Sequence, residues 1–212
     1  NVFYLRTHDE ALALRDRLRP GARLVVVGGG FIGLEVAATA RGLGCEVTLL
    51  EAGPRLAGRV LPPVISDALL ALHREQGVDV RLNVALECIH ADAVQLVDGQ
   101  RLPCDLVVVG IGMQPNIELA AAAGLDVGQG IRVDAQLRTS VADIYAAGDV
   151  CEFRLAGLYQ RQETWRNAEA QGRLAALNLL GQALAFEMIP GFWSDQYAWG
   201  LHTVGVMTAL MV

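Results

Sequence analysis

Apolar residues in the first half of the chain form short continuous runs, and segments with helical spacing lie between them. Residues 24–27 are apolar throughout, residues 47–50 are apolar except for the β-branched Thr48, and residues 105–109 are apolar after their first aspartate. Continuous runs of this length are typical of strands that are buried on both faces, as in a parallel sheet. Residues 62–76 have the apolar spacing of a helix. Strands and helices therefore alternate, which predicts an α/β fold with a parallel sheet.

The remaining segments predict shorter elements around this sheet. Thr7 and Glu10 have the spacing of a capping box, so a helix is expected to begin there. Residues 84–102 alternate between apolar and polar positions around an Asp-Gly turn, which predicts an antiparallel hairpin or meander. Further predicted elements are an extended segment at 1–5, a strand at 78–82, a helix at 117–123, strands at 131–134 and 144–147, a helix at 165–180, and a buried strand within 201–212.

Three glycines follow the first apolar run with the spacing Gly28-x-Gly30-x-x-Gly33, and a helix-length segment follows them. This is the dinucleotide-binding fingerprint in its strand–turn–helix setting. Gly28 permits the tight turn, Gly30 lets the backbone approach a pyrophosphate, and Gly33 lets the helix lie close to the strand. The amides that open the helix, at Phe31 and Ile32, would face the phosphates at the positive end of the helix dipole. The segment predicts a Rossmann-like nucleotide site.

Glu51 ends the second apolar run, 18 residues after Gly33, where this motif places its ribose-binding acid. A carboxylate there accepts hydrogen bonds from both adenosine ribose hydroxyls and repels a 2′-phosphate, so NADH is expected to be preferred to NADPH. Glu51 could instead be a solvated acid at a strand end. Arg55 or Arg59 could accommodate the extra phosphate, and Arg59 is kept as a candidate cofactor contact.

A second glycine segment, Gly110-Ile111-Gly112, follows the third apolar run. Ligands bind at the carboxyl ends of strands in open α/β sheets, so this segment is a candidate cofactor contact, although a plain turn has the same composition. Gly148 and Asp149 occupy a comparable place after residues 144–147. Asp149 could cap a turn or a helix, or it could bind the hydroxyl groups of a cofactor.

Composition narrows the class of protein. The 212 residues carry a formal net charge of −6, which argues against nucleic acid as a partner. No signal peptide or bilayer-length apolar run is present, so no membrane partner is expected. The four cysteines form no CxxC pair and the four histidines lack metal-ligand spacing, which favours buried reduced thiols and structural or solvated histidines over a metal or redox site. Because the chain lacks an initiating Met and stops within an apolar run, it is expected to be a fragment.

Six motifs, in this order and spacing, resemble those of FAD-dependent pyridine nucleotide-disulfide oxidoreductases, in particular the ferredoxin reductase branch. They are GGGFIGLEVAA, the strand-end LLE, VVVGIGMQPN, TSVADIYAAGDV, ETWRNAEAQG and FWSDQY, and the last two are specific to that branch. The resemblance implies an NADH-binding domain at residues 1–113, the second segment of an FAD-binding domain at 114–189, and the beginning of a C-terminal α+β domain at 190–212. A preceding FAD-binding segment with its own glycine motif would be missing.

The same resemblance implies a function and a set of cofactor contacts. Hydride would pass from the nicotinamide C4 of NADH to N5 of FAD, and single electrons would then pass to a [2Fe–2S] ferredoxin of an aromatic-ring dioxygenase or cytochrome P450 system, without a catalytic acid or base. Glu35 matches a glutamate near the nicotinamide carboxamide, and Trp193 matches a tryptophan near the flavin and the ferredoxin-facing side. The residues that match flavin contacts are Gly148, Asp149, Glu163, Thr164 and Trp165.

Other functions are compatible with these motifs. A thioredoxin-reductase type would carry a CxxC pair in the nucleotide domain, whereas a glutathione-reductase pair would lie in the missing segment. Rubredoxin and nitrite reductases of the same superfamily are nearer alternatives. The chain alone could also be a non-catalytic NADH-binding module, because it has one glycine fingerprint where two cofactors need two. Reduced thiols agree with a cytoplasmic location.

Overall fold

The computed structural model describes residues 1–155 and 157–205, and these form two compact units. The first unit contains residues 1–112 and 194–201, and the second contains residues 113–193 and the described residues after 201. The helices are α1 His8–Arg15, α2 Phe31–Gly42, α3 Pro63–Glu75, α4 Glu118–Ala122 and α5 Trp165–Leu179. The strands are β1 Val2–Phe3, β2 Arg23–Val27, β3 Glu46–Glu51, β4 Asp79–Leu82, β5 Leu86–Ile89, β6 Ala93–Leu96, β7 Arg101–Pro103, β8 Leu106–Val109, β9 Ile131–Arg132, β10 Cys151–Leu155, β11 Leu158–Gln160, β12 Gly191–Gln196 and β13 Trp199–Val204.

The first unit is built on a five-stranded sheet with the order β1-β8-β2-β3-β4, in which every pair of neighbours is parallel. Strand β8 lies between β1 and β2, although it is the last of the five along the chain. The α/β fold expected from the apolar runs is confirmed, and helix α2 packs on β2 and β3. Two parallel strands joined through a helix are the unit from which a Rossmann-like domain is built.

An antiparallel three-stranded sheet with the order β5-β6-β7 adjoins this parallel sheet, as the alternation in residues 84–102 predicted. Val25 and Val27 of β2 belong to one buried cluster with Val94 and Leu96 of β6 and Val107 of β8. Alternate residues of a strand point to opposite faces, so Val25 and Val27 mark the face of β2 that meets the meander. The antiparallel insert thus covers one face of the parallel sheet within the crossover from β4 to β8.

The second unit has its own core around a three-stranded sheet with the order β11-β10-β9. Cys151 and Phe153 of β10 pack with Leu137, and Ala175 of α5 closes the same buried cluster. The ring of Phe186 meets the ring of Phe153 edge-on, with 5.5 Å between centroids. Helix α5 is thereby fixed to the sheet through its inward-facing residues.

Helix starts follow the predicted chemistry. Thr7 Oγ1 accepts a hydrogen bond from the backbone N–H of Glu10, and Glu10 Oε2 accepts one from the backbone N–H of Thr7, which completes the predicted capping box. Thr164 caps α5 by accepting from the backbone N–H of Asn167 at 3.3 Å. No helix in residues 1–155 and 157–205 is long and apolar enough to cross a membrane.

Two predicted strands differ from the structure. Residues 144–147 form no strand, since Tyr145 makes only an isolated bridge to Arg138. Leu137 and Asp143 both have a φ of 65°, and these left-handed residues bend the chain before pairing can extend. At the C-terminal end, β13 forms, but Val204 is 75% exposed, so the expected burial is wrong for this residue. Residues 206–212 of that prediction lie outside the described part.

Candidate functional site

The glycine turn after β2 lies against the end of β8. Gly28 has a φ of 108°, and a Cβ at this position would overlap the carbonyl group of Gly110. The backbone N–H of Gly110 donates to Val27 O at 2.8 Å, so the two strand ends are joined directly above the sheet. Glycine is required at Gly28 for two reasons, the left-handed backbone and the lack of space. The turn therefore occupies the carboxyl edge of the sheet, where open α/β folds bind ligands.

Gly33 and Gly30 have opposite surroundings. A Cβ at Gly33 would overlap the carbonyl oxygen of Gly28, whereas a Cβ at Gly30 would meet no atom within 4 Å. Gly33 therefore serves the close approach of α2 to the turn, as predicted. The open side of Gly30 is the space that a pyrophosphate would need. Gly30 is also the N-cap of α2, whose first turn contains no acidic residue, so the positive end of the helix dipole is not neutralised by a side chain.

The carboxylate of Glu51 is held by two backbone amides. Its Oε2 accepts from the N–H of Gly29 and its Oε1 accepts from the N–H of Gly53, both at 2.7 Å. Ala57 in the following loop donates its N–H to Gly29 O at 2.8 Å. Glu51 thus has a fixed position beside the glycine turn and differs from a mobile acid at a strand end. Each carboxylate oxygen can accept a second hydrogen bond, so the group can also receive ribose hydroxyls.

The two arginines near Glu51 lie in different surroundings. Arg55 donates to the backbone carbonyls of Leu61 at 3.4 Å and Gly58 at 3.3 Å, so its guanidinium is used within its own loop. Arg59 is exposed, and its guanidinium lies 3.6 Å from the place of a Cβ on Gly112. Arg59 is therefore the arginine that borders the second glycine segment.

That second segment, Gly110 to Gly112, forms the neighbouring part of the same edge. A Cβ at Gly110 would lie 3.6 Å from the backbone nitrogen of Gly33, and Gly112 has a φ of 116°. The side chain of Ile111 between them is exposed. The structure thus brings both predicted glycine segments together where β8 meets β2.

Glu35, on the second turn of α2, is half-buried and contacts β12 through residues of the same unit. Ser194 Oγ donates to Glu35 Oε1 at 2.6 Å, and Gln196 Nε2 donates to Ser194 Oγ at 3.0 Å. Gln196 Oε1 lies 2.8 Å from Nε2 of His73, which is fully buried on α3. Glu35 is therefore tied by hydrogen bonds to buried side chains of β12 and α3.

The second unit places the predicted flavin contacts around the start of α5. Gly148 has a φ of 84°, and its backbone N–H donates to Oε1 of the buried Gln171 at 2.8 Å. The backbone carbonyl of Asp149 accepts from Arg161 at 3.0 Å, and Arg161 also donates to Glu163 at 2.6 Å. The Arg161 guanidinium thus links the turn after Gly148 to the chain that enters α5.

Two tryptophans of this unit meet edge-on at the side of α5. The centroids of Trp165 and Trp193 are 6.0 Å apart with an interplanar angle of 79°, and Trp165 is 65% exposed. They border an open cavity of about 700 Å³, which is also lined by Arg166, Glu169, Arg173, Leu177 and Met188. Both rings are exposed and neither belongs to the core.

Some polar residues of these sites were missed by sequence reasoning. Ser194 and Gln196 are buried, while Trp193 and Asp195 between and beside them are exposed. The available signal was the alternation itself, because small polar residues at the inward positions of a strand need partners inside the protein. Gln171 gave no comparable signal, since its place on α5 does not differ from that of a surface glutamine.

Comparison with known proteins agrees with this geometry. The family model described as pyridine nucleotide-disulphide oxidoreductase matches residues 1–172. The chain is 47% identical over 212 residues to the ferredoxin–NAD(+) reductase component of the anthranilate 1,2-dioxygenase system of Burkholderia cepacia, covering 97% of this chain and 52% of that protein. It is 39% identical to the rubredoxin–NAD(+) reductase of Pseudomonas putida, and the match covers 97% of this chain and 55% of that protein.

A solved structure of similar sequence has the same fold. The ferredoxin reductase for a cytochrome system from Rhodopseudomonas palustris superposes with a TM-score of 0.92 at 45% identity, over 96% of this chain and 52% of that one. The chain therefore spans about half the length of the curated relatives that it matches.

Proposed function

This chain belongs to the pyridine nucleotide-disulphide oxidoreductase family, and on that premise we propose that it acts within an NADH-dependent, FAD-containing ferredoxin reductase. The proposed electron acceptor is a [2Fe–2S] ferredoxin of an aromatic-ring dioxygenase or cytochrome P450 system, and the proposed location is the cytoplasm. Residues 1–113 would bind NADH, residues 114–189 would form the second segment of an FAD domain, and residues 190–212 would begin a C-terminal domain. The names of the relatives support this class of activity.

The observation that carries the proposal is the fixed carboxylate of Glu51 beside the open side of Gly30. A dinucleotide needs both features, an acceptor for the adenosine ribose and a backbone that lets the pyrophosphate approach the helix. Glu51 would accept hydrogen bonds from the ribose hydroxyls and repel a 2′-phosphate. Arg59, Ile111 and Gly112 border the same edge of the sheet and are proposed to contact the cofactor beyond the pyrophosphate.

The second unit fits an FAD contact. The buried atoms Asn167 Oδ1 and Gln171 Nε2 on α5 have no hydrogen-bond partner among residues 1–155 and 157–205, and Gln171 supports the glycine turn at Gly148. Buried polar groups without partners are rare, so further polar atoms are expected here. We assign the flavin contacts to this place, where Asp149 is proposed to bind hydroxyl groups of the cofactor and Thr164 opens α5.

The chemistry that the cofactors would supply is acceptance of two electrons as hydride from NADH and their release one at a time from FAD. The chain's own residues bind and orient them. Glu163 is held by Arg161 beside the start of α5, and Trp165 with Trp193 provides an aromatic surface that would exclude water from that side. Glu35 would accept a hydrogen bond from the nicotinamide carboxamide.

A second candidate function is rubredoxin reduction. It is favoured by the 39% identity to a rubredoxin–NAD(+) reductase over nearly the whole chain. The two candidates share their cofactors and differ only in the acceptor protein, so the acceptor must be tested. A disulfide reductase of the thioredoxin-reductase type is disfavoured because the four cysteines form no CxxC pair.

The decisive test combines cofactor content with acceptor dependence. The chain as given is expected to bind NADH weakly and to hold no stoichiometric FAD, and a flavin band equal to one FAD per chain would contradict this. In a longer protein that contains the chain, reduction of cytochrome c by NADH is expected to depend on added [2Fe–2S] ferredoxin. Dependence on rubredoxin alone would select the second candidate, and dependence on neither would refute both.

A further inference from the structure

Hydrogen bonds connect Glu35 on α2 to the buried ring of His73 on α3 through two side chains of β12. Ser194 Oγ lies 2.6 Å from Glu35 Oε1, and Gln196 Nε2 lies 3.0 Å from Ser194 Oγ. Gln196 Oε1 lies 2.8 Å from His73 Nε2, and the Tyr197 hydroxyl lies 3.3 Å from His73 Nδ1. Ser194, Gln196 and His73 are all buried. Their polar atoms therefore depend on one another, because water does not reach them.

The carboxylate of Glu35 determines which group donates in each hydrogen bond between Glu35 and His73, a series of bonds called the line below. A carboxylate can only accept, so the single hydroxyl hydrogen of Ser194 must point to Glu35. Ser194 Oγ must then accept from the amide nitrogen of Gln196, which turns the amide oxygen of Gln196 toward His73. His73 Nε2 consequently carries the hydrogen. All donors in the line point toward Glu35.

The contacts of His73 at the other end of the line agree with a hydrogen on its Nε2. With its hydrogen on Nε2, a neutral His73 presents Nδ1 as an acceptor, and the Tyr197 hydroxyl can donate to it. Burial lowers the pKa of His73, with the hydrogen bond to Gln196 acting in the opposite sense, so the ring is expected to stay neutral. The ring of Tyr197 packs edge-on against His73 with 5.3 Å between centroids.

A hairpin that only had to pack on two helices would not need these residues. Apolar side chains at the inward positions of β12 would bury the same surface without requiring partners for every polar atom. Ser194 instead donates to one carboxylate oxygen, Glu35 Oε1, and Gln196 in turn donates to Ser194 Oγ. Because that oxygen is already engaged, the orientation of the Glu35 carboxylate is restricted.

We propose that Ser194, Gln196 and His73 are positioning residues that hold the Glu35 carboxylate for the nicotinamide end of NADH. The proposal rests on the proposed function, because it takes NADH as the ligand of the glycine turn. A carboxamide NH₂ group is a donor that a carboxylate oxygen accepts. Loss of the line should therefore weaken binding of the nicotinamide part and spare binding of the adenosine diphosphate part.

Binding of NADH and of ADP-ribose, which lacks nicotinamide, to the whole 212-residue chain tests this. Ser194→Ala removes a hydrogen bond to a charged group, so NADH affinity is expected to fall by about fivefold to tenfold while ADP-ribose affinity stays within about twofold. Ser194→Thr restores a hydroxyl and is expected to recover NADH affinity. Asp195→Asn, at the exposed neighbouring position, is the control and should change neither.

The outcomes separate the two proposals. If the wild-type chain does not bind ADP-ribose, the nucleotide site itself is refuted and the positioning role with it. If ADP-ribose binds but NADH affinity is unchanged in Ser194→Ala, or both ligands weaken equally, only the positioning role is refuted. Retained ADP-ribose binding also shows that each variant is folded.

A second readout needs no ligand. In ¹⁵N spectra of the histidine rings, His73 is expected as the Nε2–H tautomer, assigned by its absence in His73→Asn. Glu35→Ala removes the acceptor that sets the direction and is expected to let this ring populate the Nδ1–H tautomer as well. Glu75→Ala, at an exposed position on the helix of His73, is the control. An Nδ1–H ring in the wild type, or no change in Glu35→Ala, would overturn the proposed direction of the hydrogen bonds.

Discussion

The carboxylate of Glu51 lies 2.7 Å from the backbone nitrogen of Gly29, so the acid at the end of β3 is bonded directly to the glycine turn after β2. The same carboxylate also receives the N–H of Gly53. Two bonds to main-chain donors leave the side chain little freedom to rotate. A ligand that uses this carboxylate therefore meets it already oriented, which lowers the entropy cost of binding.

Glu51→Gln should weaken NADH binding and reduce the discrimination against NADPH. The amide keeps one acceptor, but its NH₂ group faces a backbone N–H and no longer repels a 2′-phosphate. We expect about tenfold weaker NADH binding, with the ratio of the two dissociation constants moving toward one. Fluorescence titration of both nucleotides measures this. Glu46→Gln, at the exposed first position of β3, is the control, and an equal effect there would contradict the assignment.

Alanine at two glycines of the turn should separate binding from folding. Gly30→Ala adds a Cβ into open space, so its melting temperature should stay within about 2 °C of the wild type while dinucleotide binding is lost. Gly33→Ala places a Cβ on the Gly28 carbonyl oxygen. The gain of about 1 kcal/mol in helix propensity does not offset that overlap, so the melting temperature should fall by at least about 4 °C.

Thermal unfolding and nucleotide titration of both variants measure these effects. A stable Gly33→Ala variant would show that α2 can move away from the turn. Full nucleotide affinity in Gly30→Ala would show that the pyrophosphate does not approach this backbone. Each result contradicts one half of the prediction independently of the other.

The pH dependence of stability should report on His73. Burial lowers its pKa in the folded chain below 6.5, so the unfolded chain binds the proton more readily. The free energy of unfolding should therefore be at its full value above about pH 7 and should fall as the pH drops below about 6.5. Denaturant titrations at pH 7.5, 6 and 5 should show a smaller decrease for His73→Gln. Its control is His8→Gln at an exposed position, and parallel profiles for wild type and His73→Gln would refute the effect.

Thiol reactivity should distinguish one cysteine from the other three. Burial raises the pKa of Cys151 to about 12, and it raises the pKa values of Cys45 and Cys104 as well. The thiolate is the reactive species, so these three should react only after unfolding. Cys88 is partly exposed, and one fast-reacting thiol per native chain is expected, absent in Cys88→Ser. Two or more fast thiols in a timed labelling assay would contradict this.

The sites that sequence reasoning anticipated are those whose determinants are local. Gly28, Gly33 and Glu51 lie within one strand–turn–helix–strand segment, and the steric role of each glycine follows from its neighbours along the chain. The bond from Ser194 to Glu35 joins positions 159 residues apart. No periodicity in either segment identifies the other as its partner, because both are short amphipathic stretches that could pack in many ways.

The secondary-structure predictions divide in the same way, into elements with local determinants and elements that depend on tertiary packing. The strands β2, β3 and β8 are built on short apolar runs and could be assigned from composition. Residues 144–147 are also mostly apolar, but left-handed conformations at Leu137 and Asp143 prevent a strand there. Such backbone states at non-glycine residues depend on tertiary packing, which the sequence pattern does not contain.

The order β1-β8-β2-β3-β4 has a consequence for how the chain reaches its native state. Val2 and Phe3 pair with Val107 and Val108, about a hundred residues later, so β1 has no neighbour in this sheet until β8 has been made. A sheet whose last strand along the chain inserts between two earlier strands has many contacts between residues distant in sequence, and such contacts slow folding. During synthesis, the edge of β2 that pairs with β8 stays unpaired over that interval and is exposed to chaperone binding or misassociation.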